Sequence, residues 1–425
     1  MNILERAQRF VDSLRELAGR TSQQWLRCPQ CGSTNTIKNG HYTRNPWTLE
    51  GRKEIKVQRH FCKDCSHSYS EERAELVRRS WYSRGVHRAT IDHWQHGGSS
   101  LRRVAEFMRS WIGHQERWRM WMPFTEKERE GGRCELGAST VQRWLVKAGK
   151  VAQESVPRQM RGIACSGEMG TDGLWARLRG GEQCVVLMLV GYVSGLIWPP
   201  IVAAEEASRR SWAILFERAK IAGLAIEELN GITSDGAQGL MGYLRHHLGA
   251  VHQQRCLWHL WRSLCRQIAR VVARTMAQQP QSERKAKHHE LNKLLEPFLN
   301  AQSHEAGEAA LSKLANHDLG SVIAQALHPL MDAILVHLLP CHRGLCRVGP
   351  EWYWRDFRLR LGHGRNHGSD QRLEQALLVW AIYRNFTPAQ RRSERKRHYR
   401  HPGQSPLEVA GAPPGDLCYL DALQV

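Results

Sequence analysis

Several features that would assign a protein to a familiar class are missing from this 425-residue sequence. Its first residues, Met1-Asn-Ile-Leu-Glu-Arg6, lack the basic-then-apolar layout of a secretory signal peptide. It has no glycine-rich phosphate loop of the NTPase type, so ATP is not implied. Acidic residues are few, with 41 Asp and Glu against 61 Lys and Arg, and the formal net charge is +20. This excess predicts a polyanionic partner, most simply nucleic acid; the alternative is a soluble protein that is merely basic.

A long hydrophobic stretch is also nearly absent. One apolar run, residues 184–204, is long enough to suggest a membrane span. It is rich in valine and contains Gly191, Ser194-Gly195 and Pro199-Pro200. These breaks favour two buried strands joined by a tight turn, so we expect no membrane contact.

The cysteines are arranged for metal binding rather than for disulfides. Four of the 12 form two C-x-x-C pairs, Cys28 with Cys31 and Cys62 with Cys65, and the others are scattered. This pattern predicts one tetrahedral Zn²⁺ site and a reducing compartment, the cytoplasm with its nucleoid; redox or incidental cysteines are the alternative. The alternating segment 53–61 predicts a β-hairpin that carries the second pair. We therefore expect a zinc ribbon within a first domain, residues 1–70. Residues 1–20 of this domain are expected to form an amphipathic helix.

Residues 71–160 have a helical and basic character. Helices are predicted at 87–96, where Gly97-Gly98-Ser99 follows, and from Leu101 onwards. A third begins near Ser139, the expected N-cap. Its polar side chains would face a DNA major groove, as in a helix-turn-helix, while Val141, Trp144 and Leu145 face inward; the predicted DNA-binding residues are Ser139, Thr140, Gln142 and Arg143. A structural helical linker is the alternative.

The pattern changes to α/β after residue 161. Strands are predicted at 166–175, 183–193 and 196–204, a helix at 208–222, a strand ending at Ser234, a helix at 237–247 and a short strand at 250–255. Three strands, a helix and then strand-helix-strand is the element order of the ribonuclease-H-like fold. In that fold Asp172 lies in the first strand and Asp235 just after the fourth, on neighbouring strands in the centre of the sheet.

A helical block interrupts this α/β region. Helices at 257–278, 283–299, 304–316 and 319–339 form an insertion, about residues 257–365, in a catalytic domain of residues 161–385. The final informative helix, 370–384, carries Glu374, whose side chain is expected to face the sheet. Residues 386–425 contain the basic run 391–400 and are expected to be a mobile tail that suits phosphate contacts.

Three carboxylates from separate elements would form a site for phosphoryl transfer in DNA. The two hard divalent cations, Mg²⁺ or Mn²⁺, need oxygen ligands. One ion would activate a water or a 3′-hydroxyl and the other would stabilise the leaving oxygen, with the two ions about 4 Å apart. The predicted catalytic and cation-binding residues are Asp172, Asp235 and Glu374. An isolated Asp before Gly is usually a turn residue, so the prediction depends on their combination.

These motifs together resemble a DDE transposase. The resemblance is carried by the paired cysteines, by Thr171-Asp-Gly-Leu-Trp175, by Thr233-Ser-Asp-Gly-Ala237 and by Cys256-Leu-Trp-His259. It is similar in particular to the bacterial insertion-sequence transposases related to the Mutator-like group, which carry a C/D-x-x-H motif after the second aspartate and a helical insertion before the glutamate. The resemblance covers roughly residues 25–400. It implies metal-dependent cleavage at transposon ends, joining of the freed 3′-ends to target DNA, and a homo-oligomer in the active complex.

Two parts of this assignment stay open. The family's glutamate often follows a Thr-Asn pair, whereas Glu374 follows Gly368-Ser-Asp-Gln-Arg-Leu373, so Asp370 and Glu351 are alternative candidates. For Cys256 and His259 we favour a structural or DNA-positioning role over zinc binding. An inactive, transposase-derived DNA-binding regulator and a ribonuclease-H-like nuclease are the alternative functions.

Overall fold

The computed structural model describes residues 27–97, 100–112, 134–160, 163, 167–342, 347–362, 367–388, 401, 403–415 and 417–425. The chain divides into two compact units, Met1–Leu145 with Val425, and Val146–Gln424. The helix predicted in residues 1–20 and the basic run 391–400 lie outside the described residues.

The first unit contains a small three-stranded sheet in which four cysteine thiols converge. Its strands lie side by side in the order β1 (Thr36–Arg44), β4 (Ile55–Cys62) and β5 (Ser68–Ser70). In the chain, β1 and β4 are separated by a distinct two-stranded sheet, β2 (Trp47–Thr48) and β3 (Gly51–Arg52). β1 and β4 form the predicted antiparallel hairpin. The Sγ atoms of Cys28 and Cys65 are 3.5 Å apart and those of Cys31 and Cys62 are 3.6 Å apart. Four thiolates around Zn²⁺ lie about 3.8 Å from one another, so this cluster could hold a zinc ion.

Little else is available to stabilise this sheet. The buried apolar cluster around it consists of Ile55, Val57 and Leu76. Because so small a core contributes little, a bound metal would supply much of the folding free energy of this segment.

The described residues between 84 and 160 form three helices. They are α1 (Arg84–Gly97), α2 (Leu101–Trp111) and α3 (Ala138–Gln159). In α3, Val141 and Leu145 are buried as predicted, and the Trp144 ring stacks on His87 with a centroid distance of 3.7 Å. Ser139 is not the N-cap, because Gly137 precedes the helix and its carbonyl accepts from the amides of Thr140 and Val141.

The second unit is built on a five-stranded sheet with the order β10-β9-β6-β7-β8. The strands are β6 (Glu168–Arg177), β7 (Gln183–Gly191), β8 (Ile201–Ala203), β9 (Gly231–Ser234) and β10 (His252–Arg255). β6, β7 and β8 are antiparallel neighbours, whereas β9 pairs parallel with both β6 and β10. The valine-rich run is therefore a buried sheet segment, with every residue of β7 after Gln183 buried. β6 and β9 are adjacent in the centre, as expected.

Helices α4 (Arg209–Ile221) and α5 (Gln238–His247) connect β8 to β9 and β9 to β10. After β10 the chain forms α6 (Leu257–Thr275), α7 (Gln281–Leu299) and α8 (His304–Ala315), which share one hydrophobic cluster. The single helix predicted at 319–339 is wrong. That segment is α9 (Ser321–Leu327), a 3₁₀ turn at His328–Leu330 and α10 (Met331–Leu335), because Pro329 lacks the amide that a continuous helix needs.

Residues 321–338 are, within the described chain, the stretch long and apolar enough to cross a membrane by length and composition alone. Ile323, Leu327 and Ile334 are buried in the helical cluster.

Two helices return the chain to the sheet, α11 (Glu351–Leu361) and α12 (Asp370–Phe386). Leu373, Leu377, Trp380 and Ile382 of α12 are buried, as predicted. We expected residues 386–425 to be a mobile tail, but part of this region is folded. Short helices α13 (Pro406–Val409) and α14 (Tyr419–Ala422) fold back, and the Tyr419 ring contacts Tyr383 of α12 edge to face.

We predict that Cys62→Ser lowers the zinc content of the full chain by about one ion, because a closed site loses one of its four thiolates. The measurement is elemental analysis of the dialysed protein, with limited proteolysis of residues 27–70 to follow the local fold. Cys265→Ser, which changes a cysteine outside the cluster, is the matched control. An unchanged zinc content in the Cys62 variant would contradict this prediction.

Candidate active site

Asp172 lies on the central strand β6 and is 3 % exposed. The indole Nε1 of Trp354, on α11, donates a hydrogen bond of 2.5 Å to its Oδ2. Burial, then the neighbouring Glu351 and also Asp235, raise the pKa of the Asp172 carboxyl well above its usual range, although the Trp354 bond lowers it. A buried carboxylate in such company is costly to ionise unless a positive charge is added.

Asp235 follows β9 directly, so it lies beside Asp172 at the carboxyl end of the neighbouring strand. Its Oδ1 accepts from the amide of Ala237, 2.9 Å away, which fixes the turn into α5. Gly236 has a φ of +80°, and a Cβ there would clash with the guanidinium of Arg255. The positive φ favours glycine after the aspartate.

A further acidic side chain near Asp235, that of Glu206, was not predicted from the sequence. Burial and then the charge of Asp235 raise the pKa of Glu206 to about 7, while Trp175 lowers it. Gly173 makes room for this carboxylate, because a Cβ at that position would clash with Oε1.

Glu351, at the start of α11, is brought to Asp172 by His259. The Nε2 of His259 is 3.0 Å from Oε1 of Glu351, and ligand atoms of Asp172, His259 and Glu351 all lie within 4.8 Å of one another. These residues come from β6, α6 and α11, separated by as many as 179 positions in the chain. The fold therefore brings these residues together. The carboxylates of Asp172, Asp235, Glu206 and Glu351 are called the acidic cluster below.

The segment before Glu351 is attached at three points. The Gly349 amide donates to Sγ of Cys256 at 3.1 Å, the Leu257 amide donates to the Arg347 carbonyl at 2.9 Å, and the Tyr192 hydroxyl donates to the Val348 carbonyl at 2.7 Å. Cys256 is fully buried. The motif Cys256-x-x-His259 thus holds this segment with its cysteine and contacts the carboxylate with its histidine.

Glu374 is elsewhere. Its Oε1 is 2.6 Å from Nη1 of Arg218, and its Oε2 accepts from the Val202 amide at 3.0 Å. Val202 lies on the edge strand β8, two strands from β6. Neighbouring strands are about 4.8 Å apart, so the Val202 backbone that Glu374 contacts is about 10 Å from β6, the strand that carries Asp172. Asp370, the other alternative, bonds the Gln371 amide at the start of α12.

The acidic cluster fits divalent cations such as Mg²⁺ or Mn²⁺. Its donors are carboxylate oxygens, which these ions prefer. Oδ1 of Asp172 and Oε1 of Glu206 are buried and have no hydrogen-bond partner within the described part of the chain. A cation would satisfy such oxygens and relieve the repulsion among the carboxylates.

The residues predicted to contact DNA lie at the start of α3. Ser139 and Arg143 are exposed, and Thr140 and Gln142 are half-buried. The Arg143 guanidinium donates to the Thr140 hydroxyl at 3.1 Å. On α6, Trp258 is 39 % exposed, with the Arg262 guanidinium over its ring, whereas Trp261 packs against the helical cluster.

The sequence does contain a signal for Glu351. Pro350 followed by Glu351 is typical of a helix start, and the buried Tyr353, Trp354 and Phe357 follow at helical spacing. No comparable signal distinguishes Glu206 from its neighbour Glu205.

One family of known proteins matches part of the chain. Residues 200–306 match the family described as "Transposase, Mutator family". The matched segment contains Asp235, Cys256 and His259, and it ends before Glu351. No curated protein matches the chain. The family match supports a Mutator-like transposase, a class of enzyme that binds DNA and cleaves or transfers its strands.

Proposed function

We propose that the chain is a DDE transposase that cleaves the ends of a transposon and transfers them into target DNA. The observation that carries the proposal is the convergence of Asp172, Glu351 and His259, with Asp235 on the adjacent strand. A chain with a net charge of +20 is suited to the DNA partner, since basic side chains neutralise phosphates. The order of the five strands supports a ribonuclease-H-like core, and the Cys₄ cluster supports a zinc ribbon.

Glu351 is the third carboxylate in this proposal, in place of Glu374. Asp172, Asp235 and Glu351 would hold the Mg²⁺ or Mn²⁺ ions, and Glu206 adds a fourth carboxylate beside Asp235. When bound, two such ions activate the attacking water or 3′-hydroxyl and stabilise the leaving oxygen.

The other residues of the site orient the carboxylates. Trp354 donates to Asp172 and thereby fixes the carboxylate plane. His259 holds Glu351, and Cys256 fixes the backbone two residues before it. Zinc is not needed to explain Cys256 and His259, because each already has a partner in the 349–351 segment. On the DNA side, Ser139, Thr140, Gln142 and Arg143 remain the proposed contacts, and the active complex is proposed to be a homo-oligomer.

We predict that Asp172→Asn or Asp235→Asn abolishes strand cleavage and leaves DNA binding intact. Losing a cation removes several kcal/mol of transition-state stabilisation, so the rate should fall about 1000-fold or more. The assay uses a duplex with the inverted repeats that border the gene, with cleavage read on gels and binding by anisotropy. If the protein with both Asp172→Asn and Asp235→Asn keeps its cellular function, the chain is a DNA-binding regulator instead. Cleavage without end joining by the unmodified protein would identify a nuclease.

We predict opposite results for Glu351→Gln and Glu374→Gln. The first should abolish cleavage with little effect on thermal stability. The second should keep cleavage within a few-fold but lose about 1–2 kcal/mol of unfolding free energy, because its partly buried bonds to Arg218 and to the Val202 amide are weakened. The two variants serve as controls for each other. Cleavage by the Glu351 variant and none by the Glu374 variant would restore Glu374 as the third carboxylate.

We predict that the Asp172 and Glu206 carboxyls contribute less to the stability of the metal-free protein as pH rises from about 4 to about 7, an effect measured as the difference between the unmodified protein and Asp172→Asn. Asp172 and Glu206 have raised pKa values in the folded state, the latter about 7 against an ordinary 4.5, so the folded chain keeps protons that the unfolded chain releases. Adding Mg²⁺ at pH 8 should raise the melting temperature by several degrees, since an ion at 100 times its Kd contributes about 2.7 kcal/mol.

Differential scanning fluorimetry measures both effects. Asp172→Asn should raise the melting temperature of the metal-free protein at pH 8 and reduce the response to Mg²⁺, whereas Glu374→Gln should keep that response. A melting temperature of the metal-free Asp172 variant at pH 8 that does not exceed that of the unmodified protein, or an equal Mg²⁺ response in that variant, would contradict the assignment of the cluster.

A further inference from the structure

A second group of metal-ligating side chains lies at the opposite end of the sheet. His252 begins β10, and Cys341 and His342 lie in the 3₁₀ turn Pro340–His342 that ends the helical segment. Ligand atoms of these three residues lie within 4.8 Å of one another. None of them belongs to the acidic cluster or to the Cys₄ cluster.

The register of the sheet explains why these side chains meet. Glu168 of β6, Gly231 of β9 and His252 of β10 are aligned across three parallel strands, and only the middle one lacks a side chain. His342 lies between the two outer residues. Its Nε2 is 2.7 Å from Nδ1 of His252, and its Nδ1 is 3.9 Å from Oε1 of Glu168.

His342 is fully buried, and its Nδ1 has no hydrogen-bond partner within the described part of the chain. A neutral imidazole is the form that binds metals. Two imidazoles and a thiolate are the donor set that favours Zn²⁺ over Mg²⁺.

We propose that His252, Cys341 and His342 form a second zinc site, with the Nε2 of His342 as a ligand and the Glu168 carboxylate near its other nitrogen. A carboxylate behind a ligating histidine is the common arrangement in zinc sites. The two nitrogens need to separate only from 2.7 Å to about 3.3 Å for tetrahedral coordination. Because His252 and Cys341 are exposed, solvent can complete the coordination.

This site would fasten the end of the helical segment to the amino ends of β6 and β10. His342 is nine residues before Glu351, so the ion would act on the return of the chain towards the acidic cluster without touching it. The inference does not depend on the proposed transposase activity.

The first test is the zinc content of the purified full chain after dialysis. We expect about two ions per chain, about one in Cys341→Ser and in His252→Gln, about one in Cys62→Ser, and almost none in Cys62→Ser combined with Cys341→Ser. The control Cys265→Ser should keep two. A content of one ion that Cys62→Ser alone removes, or two ions that persist in His252→Gln, would overturn the proposal.

X-ray absorption at the zinc edge tests the unmodified protein, so the result does not depend on how the variants fold. One Cys₄ site together with one Cys-His₂ site gives an average of about 2.5 sulfur ligands per zinc. An average of four sulfurs would show that only the Cys₄ cluster binds zinc and that the two histidines share a hydrogen bond.

Discussion

The second unit brings together one buried carboxylate, Asp172, and three half-buried ones, whose mutual repulsion the rest of the site must offset. Asp172 is almost fully buried beside Glu351, with Asp235 on the next strand and Glu206 next to Asp235. Carboxylates do not gather in this way for stability, since each ionised group raises the cost of the next. The surrounding residues oppose that repulsion. Trp354 donates to Asp172, His259 contacts Glu351, and the three backbone attachments of residues 347–349 prevent the segment from moving away. This arrangement supports the proposal that the cluster binds cations.

Features that depend on local sequence were predicted well. The spacing of the cysteine pairs predicted their convergence, and valine-rich runs with glycine and proline breaks predicted β7 and β8. The positions of Asp172 on β6 and of Asp235 after β9 followed from the order of strands and helices. Where a local rule failed, a local cause is visible: Gly137 rather than Ser139 precedes α3, and Pro329 divides the expected fourth helix.

Features that depend on long-range contacts could not be read in the same way. Glu351 begins α11 and Glu374 lies near the start of α12, so both are acidic residues early in a helix that follows α10. Only the fold shows that Glu374 pairs with Arg218 at the sheet edge while Glu351 reaches Asp172. Glu206 and the pair His252–His342 were missed for the same reason, since 90 residues separate the two histidines and no periodicity connects them.

The hydrogen bond between Cys256 and Gly349 affects how the fold tolerates changes in the length of the helical segment. It joins positions 93 residues apart, at the points where the helical segment leaves the sheet and comes back to it. The helical segment therefore begins and ends at neighbouring points, which are joined by the Cys256–Gly349 and Leu257–Arg347 hydrogen bonds. Closing a longer loop costs only about 0.6 kcal/mol for each doubling of its length. Helices can therefore be gained, lost or exchanged within this segment, and the geometry of the carboxylates on either side of it is preserved.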